Sequence, residues 1–195
     1  MSDQRTVAWD EGEWTTPPVD ARVEGGDLVV TAAEGSDAWR TTSYGFVHDD
    51  EHALLAPLPS GLAVEVSFDA TMSQQFDQAG LFLKVSANHW IKAGIEYADG
   101  RPNLGAVVTD QVSDWSSAPV PHWSGRRVTI RASRAGDAVT LRARVGDEPF
   151  DFFRLLPLDP TAEVAAGPYL CAPTRAGLTV RFHSWTWTEP DGSLH

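Results

Sequence analysis

The chain carries one cysteine, Cys171, and so has no means of closing an internal disulfide. No Cys-His signature of a thiol enzyme surrounds it, and a small buried hydrophobe is the expected role. Basic residues are scarce: 15 Lys and Arg stand against 27 Asp and Glu, a formal net charge of −12. Phosphate-backbone binding needs clustered cations, so nucleic acid is not an expected partner. No stretch approaches the roughly 18 apolar residues of a membrane span, which argues against a membrane partner. The opening Met-Ser-Asp-Gln-Arg-Thr lacks the apolar region of a signal peptide, and a cytoplasmic location is expected. G-x-S-x-G, H-E-x-x-H and phosphate-binding glycine loops are all missing, so no cofactor is expected. Long segments of helical period are missing too.

What is present is apolar residues and turns. Residues of hydrophobic type make up 42% of the 195, eight of them tryptophan, enough for a sizeable core. Turn signals recur at short spacing, among them Gly25-Gly26, Gly35-Ser36, Asp99-Gly100, Ala135-Gly136-Asp137 and Gly146-Asp147. Alternating runs lie between them, including Trp39 to Tyr44, Leu62 to Ala70, Ala79 to Val85, Trp90 to Tyr97 and Thr179 to Trp187. About ten to twelve strands with turns every 8–12 residues is the pattern of a sandwich or jelly roll. Two hairpins are expected: Val128–Ser133 with Val139–Val145, and Trp90–Tyr97 with Leu104–Thr109. Asp159 to Val164 reads as a turn of helix or another strand. No linker, repeat or charge block interrupts residues 1–195, so one domain is predicted. Trp9, Trp14, Trp185 and Trp187 read as core anchors that tie the two chain ends together.

The richest stretch runs from Phe76 to Glu96. Period-two alternation places Gln78, Gly80, Phe82 and Lys84 on one face of the first run, and Trp90, Lys92, Gly94 and Glu96 on one face of the second. A flat aromatic and central glycines are unusual on a solvated face, and glycine in a strand can mark the close approach of a ligand or another backbone. The spacing predicts an outward polar surface carrying Gln78, Lys92 and Glu96, with Gly80 and Gly94 leaving room above it. Gln78 both donates and accepts hydrogen bonds, which suits a hydroxyl-rich ligand.

Three other groupings bear on chemistry. In Asp37-Ala-Trp-Arg-Thr-Thr-Ser-Tyr-Gly-Phe46, alternation sets Arg40 and Tyr44 on one face, where a guanidinium fork suits a carboxylate or sugar hydroxyls. Ser113-Asp114-Trp115-Ser116 reads as a loop whose tryptophan can cap a carbohydrate groove or fold back onto the core. His48-Asp-Asp-Glu-His52 holds metal-capable side chains, but dense acids between strands form a solvated turn and no metal site is expected. Glu96 with Asp77 or Asp114 are the only acids weighed as a catalytic pair of glycoside-hydrolase type, and they are weak candidates because sequence does not fix their separation.

Taken together, the segments 37–46, Phe76-Asp-Gln-Ala-Gly-Leu81, His89-Trp-Ile-Lys-Ala-Gly-Ile-Glu-Tyr97, residues 107–116 and Gly167-Pro-Tyr-Leu-Cys-Ala-Pro173 resemble an uncharacterised family that includes the regulation-of-enolase proteins. The resemblance implies an all-β, two-sheet antiparallel jelly roll of the concanavalin A-like lectin/glucanase type. It further implies a saccharide or other small polar ligand on the concave sheet, around Arg40, Tyr44, Gln78, Lys92, Glu96, Asp114 and Trp115. Jelly-roll glucanases resemble E-x-D-x-E on one strand, and Trp90-Ile-Lys-Ala-Gly-Ile-Glu96 departs from that by placing a lysine where an acid would stand. Whether the chain is an enzyme is left open. A binding domain is the leading expectation, with a glycan hydrolase or a protein-interaction module regulating a metabolic enzyme as alternatives.

Overall fold

A computed structural model describes residues 4–194. In chain order its strands are β1 (Arg5–Thr6), β2 (Glu13–Trp14), β3 (Asp20–Glu24), β4 (Asp27–Thr31), β5 (Ala38–Arg40) and β6 (Val47–Asp49). There follow β7 (His52–Pro57), β8 (Ala63–Asp69), β9 (Gln78–Ser86), β10 (His89–Ala98), β11 (Arg101–Asp110) and β12 (Val112–Pro119). The last are β13 (Arg127–Ala135), β14 (Ala138–Val145), β15 (Asp151–Pro157), β16 (Ala165–Cys171) and β17 (Thr179–Thr188). One sheet runs β15-β14-β13-β8-β17-β4-β3 with β1 beside β17; the other runs β12-β11-β10-β9-β16-β7-β2. Strands β5 and β6 form a separate hairpin. Strand pairing within both sheets is antiparallel, and the whole is a two-sheet sandwich of jelly-roll, concanavalin A-like type.

Alternation explains the first sheet. Val139, Leu141, Ala143 and Val145 on β14 are fully buried while Thr140, Arg142 and Arg144 between them are part-exposed. Its partner β13 pairs Val128 with Val145 through Ala135 with Ala138. Between the sheets Leu81, Leu83, Ile91 and Ile95 meet Val66, Phe68, Ile130 and Phe182 in one core. Each such side chain contributes about 1.5–3 kcal/mol by leaving water. At the chain ends β1 pairs β17, and Trp9 stacks on the fully buried Trp185 at 6.4 Å between ring centroids.

The second sheet departs from simple alternation because both of its faces are covered. Phe82, Trp90, Val107, Tyr169 and Cys171 face away from the main core and form a second apolar cluster with Trp39 and Leu55. Residues 34–50 lie across this face. Glu34 bridges Ala172, Gly35 N–H donates to the Ala172 carbonyl, and Arg40 N–H donates to Ser113 Oγ at 2.9 Å. The expected strand from Trp39 to Tyr44 therefore ends at Arg40, and the chain turns through Thr41–Phe46. Thr41, Ser43 and Gly45 have φ of 57°, 66° and 75° there, which a β-branched threonine rarely adopts.

Three further expectations are corrected. Ser113–Ser116 is no loop but the middle of β12, hydrogen-bonded to β11. Asp159–Val164 is a turn closed by Asp159 Oδ1, which accepts from the Thr161 N–H at 2.8 Å. The run His48–His52 is not wholly solvated: Glu51 and His52 are buried, with Lys84 against Glu51 and the Ala33 N–H donating to His52 Nε2.

Candidate functional site

Between the face of the second sheet and the segment laid over it lies a cavity of about 330 Å³, within the range of small-molecule sites. Its floor comes from β9 and β10. In the register that pairs Gln78 with Glu96 and Phe82 with Lys92, Gln78, Lys92 and Glu96 all reach the cavity. Trp39, Tyr44 and Phe46 from the hairpin and Trp115 from β12 make aromatic walls. Trp39 meets Tyr44 and Trp115 edge-on, at 5.6 and 6.4 Å between centroids, and Tyr44 stacks on Phe46 at 5.4 Å. Trp39 is fixed by its Nε1–H donating to the Thr42 carbonyl at 3.0 Å. Tyr44, Phe46 and Trp115 keep exposed surface at the rim.

The floor is an ionic array. Lys92 is buried, at 3% exposure, rather than pointing into solvent as its strand position suggested. Its Nζ donates to Asp37 Oδ1 and to Gln78 Oε1, both at 2.8 Å. Asp37 Oδ1 also accepts from the Ala38 N–H at 2.8 Å and from Gln78 Nε2 at 3.3 Å. Burial opposes the charge on both partners. The Asp37 carboxylate nevertheless holds Lys92 above its ordinary value, and Lys92 with the hydrogen bonds holds Asp37 below its own. The array is a neutral, locked pair.

Glu96 is different. Its Oε1 is buried with no hydrogen-bond partner among the described residues. Burial pushes its carboxyl up to about 7, with Lys92 opposing and Asp37 adding to the rise. Beside it a small recess, lined by Gly94, Gly105 and Tyr169, extends the cavity along the sheet. Cys171 and Tyr169 are also pushed well above their ordinary values by burial, so neither supplies a ready anion.

Five of the seven residues expected around a groove, Tyr44, Gln78, Lys92, Glu96 and Trp115, line this cavity. Arg40 and Asp114 do not. Arg40 Nε donates to the Gln111 carbonyl at 3.3 Å, because the strand ends at Arg40. Asp114 alternates with Trp115 on β12, is 70% exposed and pairs with Arg154 at 2.9 Å. Asp77, weighed with Glu96 as a catalytic acid, is fully buried and gripped by Arg175, whose Nη2 stands 2.7 Å from Oδ2. The structure thus does not bring Asp77 or Asp114 into the cavity with Glu96; Asp37 is the second acid there.

The glycines also have another cause. A Cβ on Gly80 would lie 2.1 Å from the Ala93 carbonyl oxygen, and one on Gly94 2.2 Å from that of Ala79. Gly80, Gly94 and Gly105 stand side by side in register across three strands. Close approach of neighbouring backbones, before any ligand, requires them.

Sequence reading passed over Asp37, Trp39 and Phe46. A usable signal existed: a lysine central to a strand rich in apolar residues needs a carboxylate partner, and Asp37 heads a segment already singled out.

A family profile described as "Protein of unknown function (DUF1349)" matches residues 14–190. "Regulation of enolase protein 1" of Saccharomyces cerevisiae is 31% identical over 196 residues, covering 100% of this chain and 98% of that protein. A crystal structure of a functionally unknown protein from S. cerevisiae superposes with a TM-score of 0.89 at 31% identity, over 95% of this chain and 100% of that one. Xylan β-1,4-xylosidase from Bacillus halodurans C-125 shares the fold alone: the TM-score is 0.70 at 13% identity, over 85% of this chain and 33% of the enzyme's. No helix among the described residues is long and apolar enough to cross a membrane.

Proposed function

The chain belongs to the DUF1349 family, and we propose that its cavity binds a carbohydrate or similarly polar small molecule. One observation carries this reading: exposed aromatic rings stand over a buried polar floor whose Glu96 oxygen lacks a partner. Rings offer a flat apolar surface to sugar C–H groups, and a pre-oriented carboxyl and amide accept from hydroxyls. Asp37, Gln78 and Lys92 are held by one another, so little ordering cost remains in that part of the floor. The lone buried thiol, Cys171, suits a cytoplasmic setting. Isothermal titration against neutral pentoses, hexoses and their disaccharides tests the reading; the likeness to a xylosidase is the reason to include xylose and xylobiose. Saturable binding that Trp115→Ala weakens is expected. Absence of saturable binding to any sugar at millimolar concentration overturns it.

A second reading rests on the two cavity acids. Glu96, pushed to about 7, suits a general acid, and Asp37 stays ionised, a division of roles that glycan hydrolysis uses. Asp37 Oδ1 is already engaged by Lys92, Gln78 and the Ala38 N–H, which blunts it as a nucleophile or base. Release of nitrophenol from aryl glycosides by the wild type and not by Glu96→Gln would favour hydrolysis; no release from either would remove it.

A further inference from the structure

The charge balance of the cavity is uneven. Its one lysine, Lys92, is spent on Asp37 and Gln78. Glu96 remains as an acid with no cation of its own, and its Oε1 is out of reach of water with nothing to accept from. No arginine lines the cavity. The cavity that Glu96 lines is also lined by Trp39, Tyr44, Phe46, His48 and Trp115, and the faces of its indole and phenyl rings attract cations. The chain as a whole carries a net charge of −12, which draws cations toward a cleft. An aromatic enclosure with one unpaired carboxyl at its base is complementary to a positively charged donor rather than to an anion.

Resting on the saccharide reading above, we propose that the ligand is a sugar bearing a protonated amine, with Glu96 as the counter-ion of its ammonium group and the aromatic walls against its ring. An ammonium seated where Glu96 lines the cavity supplies a counter-charge and a donor to a carboxyl that makes no hydrogen bond among the described residues. Phosphorylated sugars and sugar acids are selected against, because their charge would meet Glu96 with Lys92 already neutralised by Asp37. The cause that raises the Glu96 carboxyl is one a second cation would relieve: burial, which the charge of Lys92, held on Asp37, only partly offsets.

Titration of the intact protein near neutral pH with glucosamine, N-acetylglucosamine, glucose, glucuronate and ethanolamine separates the outcomes. A charge-assisted hydrogen bond contributes about tenfold or more in affinity. Glucosamine is therefore expected to bind at least about tenfold tighter than glucose or its N-acetyl form, and glucuronate weakest. In Glu96→Gln, glucosamine and glucose should come to within about twofold of each other, and a cooperative urea unfolding transition like that of the wild type shows that the variant is folded. Equal binding of glucose and glucosamine by the wild type, or a preference that survives Glu96→Gln, overturns the amine proposal and leaves the saccharide reading standing. Binding of ethanolamine with no response to any sugar overturns the saccharide reading, and with it the amino-sugar assignment, while keeping Glu96 as a cation site. Silence from all five overturns both.

Discussion

Replacing Glu96 by glutamine should make the protein more stable as pH rises, which is the opposite of what removing a functional acid from a satisfied site would do. Glu96 has an ordinary carboxyl value of 4.5 and is pushed to about 7 in the fold, with burial the leading cause. Between these values the folded chain holds a proton that the unfolded chain has released, so stability falls as pH climbs through this window. Below about 4.5 no penalty exists; above about 7 it is complete. At about 1.4 kcal/mol for each factor of ten, the full penalty is about 3 kcal/mol. Glutamine keeps the shape and removes the charge. Its own amide can leave an unmet donor costing about 1–3 kcal/mol, but that cost does not vary with pH. The informative quantity is therefore the difference in unfolding free energy between variant and wild type, measured by urea denaturation at steps from pH 5 to pH 8. It should shift in favour of Glu96→Gln by about 2–3 kcal/mol across that range, equivalent to roughly 5–10 °C in Tm for a chain of this size. Other titrating groups cancel in the difference. A flat difference, or one that favours the wild type as pH rises, would refute the claim that burial outweighs Lys92 at the Glu96 carboxyl.

Three further substitutions probe the floor and its frame. Lys92→Ala strands the Asp37 carboxylate and should cost about 3–5 kcal/mol in denaturant unfolding; a loss under 1 kcal/mol would mean that the pair is solvated. Gly94→Ala puts a Cβ 2.2 Å from the Ala79 carbonyl oxygen and should destabilise by about 3 kcal/mol or more, so a variant as stable as wild type would show that the strands can part. Arg175→Ala leaves Asp77, fully buried, with only the Ser73 and Gln74 N–H donors at Oδ2. It should cost about 3–5 kcal/mol and, on the proposed reading, leave any sugar binding by the cavity unchanged; a selective loss of binding would place Asp77 in the site after all.

Period-two alternation made the sandwich legible because most strands obey it: β14 buries every second residue, and both expected hairpins occur with the expected partners. The same rule misleads at β10, where it predicts an outward surface for Lys92, which is buried. Alternation tells which residues share a face, and it is silent on whether that face is covered. Here residues 34–50 cover it, a packing that depends on contacts such as Gly35 to Ala172 and Arg40 to Ser113, across more than 70 positions of sequence. Local periodicity carries no record of such contacts. For the same reason alternation sets Arg40 on one face with Tyr44, although a turn with left-handed residues begins between them. Asp114 and Trp115 were grouped as neighbours, yet adjacency on a strand puts them on opposite sides.

The covering segment also explains why Lys92 and the acids Asp37, Asp77 and Glu96 have unlike fates. Asp77 sits at the entrance of β9 and meets Arg175, so its charge is settled by a partner outside the cavity. Asp37 is delivered by the covering segment directly onto Lys92, which would otherwise be a buried cation without compensation. Once that pair is closed, Glu96 is left without a hydrogen-bonded cation, and Lys92 offsets its burial only in part. An uncompensated buried carboxyl lowers stability, and a chain selected only for stability would lose it readily, since glutamine fits the same space. On the proposed reading the cost has a use, because the free energy withheld from folding is available to a ligand that brings a donor into the cavity Glu96 lines. The floor is therefore rigid where Lys92, Asp37 and Gln78 complete one another, and receptive only at Glu96.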